Sequence, residues 1–174
     1  MTRSSHHGPA HHGLALDALD RRILQTLQQN ARITNQALAE AVNLSPSACL
    51  ARVRRLEAAG LILGAHAAID IERVAPTVVV FAEVTLSSHH PQDFARFEQA
   101  MESLPAVVEA AQVSGHFDYL LKVAVPDINA WRRLADALLA GDYGVAKITS
   151  LIRMAEVKRF TGYPIEGGTP GKRE

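Results

Sequence analysis

The chain has 174 residues, 18 Lys plus Arg balanced by 18 Asp plus Glu, and 48% apolar residues. That size and composition allow one medium domain or two small ones, and the zero net charge excludes a globally basic nucleic-acid binder, so any DNA affinity must come from a local patch. Cys49 is the only cysteine, the longest apolar run is interrupted by Pro76 and Thr77, and no basic-then-apolar segment opens the chain, which together exclude an internal disulfide and a membrane span and point to the cytoplasm.

Residues 1–14 hold His6, His7, His11 and His12 among Gly, Pro and Ser, and read as a disordered tail. A first helix is expected over residues 17–29, with Leu16, Leu19, Ile23, Leu24 and Leu27 on one face and Asp17 and Asp20 at its positive end. Thr34 caps a second helix carrying Ala37, Leu38, Ala41 and Val42. Asn43, Leu44 and Ser45 form a turn, in which Asn tolerates the left-handed conformation. Ser45 caps a third helix, Pro46 opens it and Gly60 ends it. Residues 61–69 are short, apolar and alternating and predict a small β-hairpin, or wing; residues 71–76 read as a linker.

Beyond residue 76 the period changes from helical to two-residue alternation. Strands are expected over 77–86, 106–113, 117–125 and 144–152. Between them fall a helix over 91–104, with Phe94, Phe97 and Met101 inward, and one that Asp127 caps, with Ile128, Trp131, Leu134, Leu138 and Leu139. The order βαββαβ is ferredoxin-like. Two helices cover one sheet face, and the apolar residues alternating on the other face call for a partner, so a homodimer is expected. The domains are therefore 15–70, a winged helix-turn-helix, and 77–165, a ferredoxin-like domain of an α+β protein, with a flexible tail over 166–174.

Three short helices with a tight turn between the second and third are the arrangement that reads double-stranded DNA. Ser45, Ser47 and Ala48 let the third helix approach phosphates closely, and Arg52, Arg54 and Arg55 give it a cationic side. Residues 17–60 carry six Arg, no Lys and four Asp or Glu, a net +2. The competing reading is a solvated charged face making weak ion pairs, for instance with Glu57.

These segments also carry a family resemblance. Residues 16–24 (LDALDRRIL), 30–35 (NARITN), 44–57 (LSPSACLARVRRLE), 113–123 (VSGHFDYLLKV), 148–152 (ITSLI) and 156–159 (EVKR) together resemble the Lrp/AsnC, or feast/famine, regulators, and the third helix is most similar to the leucine-responsive branch. The resemblance covers about residues 14–165. It implies a winged helix-turn-helix, a ferredoxin-like effector domain, and dimers that assemble into octamers or similar rings. Asn43 stands where the family usually has Gly, and His116 where an acidic residue is common.

The loop at Ser114, Gly115, His116, Phe117, Asp118 and Tyr119 can be a simple tight turn. It also has what a free α-amino acid requires, since backbone N–H groups around Gly115 suit a carboxylate and Asp118 an ammonium group. The resemblance favours this second reading, places the pocket between neighbouring dimers, and brings in Thr149 and Ser150 from the last strand. No cofactor is expected beyond such an amino acid effector. Three rival functions fit parts of the sequence. Cys49 as a catalytic nucleophile has no His near it in sequence. Metal binding by the tail histidines or the His89-His90 pair lacks rigid geometry. A stand-alone metabolite sensor acting through protein contacts leaves the first domain unused, whereas a regulator or DNA-bridging protein without a small-molecule effector uses only that domain's chemistry.

Overall fold

The computed structural model describes residues 14–165. They divide into two compact units, one formed by residues 14–67 together with 159–165, the other by 68–158.

The first unit is three helices, α1 (Ala18–Gln29), α2 (Asn35–Val42) and α3 (Pro46–Ala58). Each begins where a side chain relieves the unpaired amides of the first turn. Asp17 and Asp20 form a reciprocal capping box on α1, Thr34 accepts the Ala37 N–H, and Ser45 accepts the Ala48 N–H. The turn from α2 to α3 is made by Asn43 at φ 57°, ψ 50°. Its N–H reaches the Glu40 carbonyl while the Leu44 N–H reaches Ala39, so the last carbonyls of α2 are satisfied as the chain reverses. Gly60, at φ 69°, ends α3 the same way, with Leu61 N–H on the Leu56 carbonyl. The small core between the helices is Ile23, Leu38, Ala39, Val42, Cys49 and Leu56.

The expected wing is absent. Residues 62–70 contain no strand, Leu63 is 94% exposed, and only Ile62 packs against the helical core. An isolated two-stranded hairpin is marginal without a third surface to cover it, and alternation that buries one residue supplies none. The segment read as a linker holds a one-turn helix instead, α4 (Ile71–Val74). Residues 159–165 return to α1: the Gln28 carboxamide donates to the Tyr163 carbonyl at 3.1 Å and accepts the Tyr163 N–H at 2.6 Å, while Gln25 donates to the Ile165 carbonyl. Phe160 and Tyr163 pack edge to face on this strap.

The second unit is β1 (Val78–Leu86), α5 (Pro91–Ser103), β2 (Val107–Gln112), β3 (Tyr119–Val125), α6 (Ile128–Ala140) and β4 (Val145–Ile152). The sheet order is β2-β3-β1-β4, antiparallel throughout, with the two central strands β1 and β3 the most buried. Alternate residues Val80, Ala82, Val84 and Leu86 of β1, and Tyr119, Leu121, Val123 and Val125 of β3, face α5 and α6 and pack with Phe97, Met101, Trp131 and Leu138. The other residues of each strand form the helix-free face, including Phe81, Glu83, Leu120, Lys122, Thr149 and Leu151. Among the described residues, no helix is long and apolar enough to cross a membrane.

Candidate functional site

The site in the first unit is built on α3. Ser45, Ser47 and Ala48 are exposed at its first turn, the two serine hydroxyls 3.3 Å apart, and Leu50, Ala51 and Arg54 continue the open side along the helix. The Asn35 carboxamide donates to the Pro46 carbonyl at 2.9 Å, and Arg22 donates to the Ala41 carbonyl at 2.8 Å; both bonds fix the ends of α2 beside this turn. Cys49 points the opposite way into the core, where burial pushes its thiol pKa up, so it serves as a small apolar side chain and not as a nucleophile.

The three arginines are not equivalent. Arg52 donates to Asp17 Oδ2 at 2.6 Å and to Asp20 Oδ1 at 2.8 Å, and Arg55 donates to Asp20 Oδ2 at 2.6 Å. Asp20 is completely buried; its second oxygen also accepts the Asp17 N–H at 3.1 Å. The Asp20 backbone N–H, then the Arg52 guanidinium, hold the Asp17 carboxyl below the usual carboxylate range. The ion pairs of this helix therefore run to α1 and not to Glu57. Arg54 is exposed and has no ion-pair partner among the described residues.

In the second unit the loop between β2 and β3 is pinned to the end of β1. The Asp118 carboxylate accepts the Leu86 N–H at 2.7 Å and faces His89 Nε2 at 3.0 Å, while the Asp118 N–H bonds to the Val84 carbonyl and the Asp118 carbonyl takes the Val113 N–H. Both carboxylate oxygens of Asp118 are thus already engaged in orienting the loop. Ser114, Gly115 and His116 are exposed, Gly115 has φ 155° with open space where a side chain would be, and His116 packs edge to face on Phe117. Tyr119 starts β3 and leaves the loop. It is 2% exposed, its hydroxyl donates to Glu98 at 2.8 Å, and it packs on Phe97, so burial first and Glu98 second push its pKa well above the ordinary tyrosine value.

The two candidates from β4 part company, because adjacent strand residues face opposite sides. Ser150 lies on the helix side, where its hydroxyl accepts the Trp131 indole N–H at 3.0 Å. Thr149 lies on the helix-free side, opposite Glu83 of β1. Glu83, which sequence reasoning missed, also sits 3.9 Å from His116 Nε2. The signal for it was a lone carboxylate inside the apolar run of β1. His89 is occupied by Asp118 and stacked on Phe94, His90 precedes α5 as its cap residue, and the tail histidines lie outside the described residues.

Comparison with known proteins assigns each unit. Residues 16–62 match the family model for winged helix-turn-helix DNA-binding, and residues 79–163 match that for the Lrp/AsnC ligand binding domain. The chain is 42% identical over 147 residues to the leucine-responsive regulatory proteins of Escherichia coli strain K12 and of Klebsiella pneumoniae, covering 84% of this chain and 90% of each relative. Among solved structures it is similar to a Neisseria meningitidis transcriptional regulator in complex with L-Met (TM-score 0.79, 33% identity, 87% of this chain and 97% of that one). It is equally similar to an AsnC family transcriptional regulator from Agrobacterium tumefaciens (TM-score 0.78, 33% identity, 86% and 97%). The chain is a member of the Lrp/AsnC family: a DNA-binding transcription regulator, not an enzyme, with a helix-turn-helix and a separate ligand-binding domain.

Proposed function

We propose that the chain recognises specific double-stranded DNA through the open side of α3, and that a free amino acid or related metabolite bound to the effector domain adjusts that recognition to control genes of amino-acid metabolism in the cytoplasm. The observation that carries the first half is the outward face of α3, where Ser45, Ser47 and Ala48 leave room at the helix start and Arg54 is the uncommitted cation. Small residues at a helix N-terminus admit the phosphate backbone, and a free guanidinium can reach a phosphate or a guanine edge.

The second half is supported by the names of the relatives, which are leucine-responsive in the curated proteins and L-Met-bound in the Neisseria structure. The exposed stretch Ser114–His116 offers backbone groups for the ligand carboxylate, while Thr149 and Glu83 share one sheet face and Glu83 suits its ammonium group. Asp118 orients the loop, and Ser150 and Tyr119 support the domain from its helix side. A homodimer formed across the helix-free sheet face, and octamers or similar rings of such dimers, would set paired α3 helices about one DNA turn, roughly 10 bp, or a multiple apart. Ligand binding shifts the assembly or its geometry to the extent that the two forms differ in affinity for it.

Two measurements test this. Selection from a random duplex library should enrich one roughly palindromic sequence; recovery of no sequence preference rejects specific recognition. A thermal-shift screen against the free amino acids should show stabilisation that grows with concentration for one or a few of them. A flat response to all of them, with DNA affinity unchanged, rejects the effector role.

A further inference from the structure

Arg52 and Arg55 are charged residues on the DNA-reading helix, yet every ion pair they make runs inward or sideways to α1. Asp20 has no contact with solvent and accepts from both guanidinium groups, one on each oxygen, with Asp17 doubling the grip on Arg52. The four side chains, two carboxylates and two guanidiniums, form a neutral cluster. They join the start of α1 to α3, two helices that also share the small core through Ile23, Cys49 and Leu56. A planar guanidinium held by two fixed carboxylates allows little rotation of the helix that carries it.

We propose that Asp20 is a positioning residue for DNA recognition: it holds α3 at a fixed rotation through Arg52 and Arg55, and these two arginines act through Asp20 and Asp17 and do not contact DNA. This rests on the reading of α3 as the DNA-contacting helix. It deepens that reading by splitting one row of arginines into a pair that orients and a single residue, Arg54, that touches.

The test uses the full chain and the duplex enriched by the wild-type protein, with affinity measured over a series of salt concentrations well below the melting temperature. Arg54→Ala should weaken binding and lower the salt slope by about one per protomer, the signature of a lost phosphate contact. Arg52→Ala and Arg55→Ala should weaken binding about tenfold with the salt slope unchanged. Arg52→Lys, which keeps a charge within reach of Asp17, should recover part of the loss. The double variant Asp17→Asn with Arg52→Ala should be no weaker than Arg52→Ala alone, since the two act as one unit. Asp20→Asn is a further arm, and the arginine variants carry the test should it not fold.

A salt slope reduced by about one in Arg52→Ala or Arg55→Ala overturns the proposal, because it makes them phosphate contacts. So does unchanged affinity in the folded arginine variants, which reduces the cluster to a stabilising one. An unaltered Arg54→Ala together with unaltered Ser47 variants instead overturns the reading of α3 on which the proposal rests.

Discussion

Asp17 and Asp20 are three residues apart at the start of α1 and do different work. Asp17 is solvent-accessible, caps α1 and has a lowered pKa, so its contribution to stability is present above about pH 4, the ordinary carboxylate value, and disappears as the pH falls through its lower folded value. Asp17→Asn should therefore flatten the acid side of a stability-against-pH curve and leave the curve above neutrality with its original shape. Tyr119 works in the opposite direction. Its folded pKa is raised, so the stability it contributes is complete below about pH 10 and is lost only as the pH climbs through the raised value. Spectrophotometric titration of the native protein should thus show the same tyrosinate amplitude near pH 10 for wild type and Tyr119→Phe; a smaller amplitude in the variant would mean that the Tyr119 hydroxyl reaches solvent. What the sequence disclosed at this scale was chemistry that acts over three or four residues. Thr34 and Ser45 as caps, Asp17 and Asp20 at the positive end of α1, and Asn43 and Gly60 as left-handed stops, needed only their immediate neighbours. The partnership of Arg52 with Asp17 spans 35 residues, and a row of arginines looks the same whether its partners are phosphates or a neighbouring helix.

At the scale of elements, α3 is a helix whose start is set by side-chain chemistry and whose stop is set by glycine. Ser45→Ala removes the cap on the Ala48 amide and should cost about 1 kcal/mol of stability, read from denaturant unfolding. Leu56→Ala, at a fully buried position facing Ile23 and Cys49, should cost about 2–5 kcal/mol, enough to unfold a core this small in a large share of molecules. The contrast between α3 and the missing wing explains why one was legible and the other was not. Residues 61–69 have strand-like alternation, but alternation is only a request for a surface to lie on, and nothing local says whether that surface exists. The β-strands of the second unit passed this requirement because α5 and α6 provide the cover, and their boundaries match expectation within two residues. Thr149 and Ser150 illustrate the remaining gap. The family resemblance brought both into one pocket, whereas the pleat sends one to each side of the sheet.

At the scale of the whole molecule, the helix-free sheet face carries Phe81, Leu120 and Leu151 around Lys122 and Glu83. If this face is where two copies meet, Phe81→Glu should shift native mass toward the monomer and, by removing the pairing of α3 helices, weaken binding to a palindromic duplex much more than binding to a single half-site. An unchanged mass would move the dimer contact elsewhere. The strap is the other feature of this scale. Gly162 has φ 124°, and a side chain there would meet the Gln28 carboxamide at 2.8 Å, so Gly162→Val should detach residues 159–165 from α1 and lower the melting temperature of the first unit by a few degrees. The units were expected to be consecutive stretches of chain, with residues up to 165 in the second; the return of residues 159–165 to α1 had no sequence signal, because a carboxamide bonding a backbone requires no particular residue at the other end.

That return has a consequence in time. Gln28 and Tyr163 are separated by 135 residues, and a ribosome adding roughly 5–20 residues per second needs about 7 to 27 seconds to cover that distance. The three helices are synthesised first but acquire their last contacts only after the whole ligand-binding domain has been made. A nascent chain therefore carries an unfinished DNA-binding unit until its sensing unit is complete, and a chain interrupted before residue 159 never finishes it.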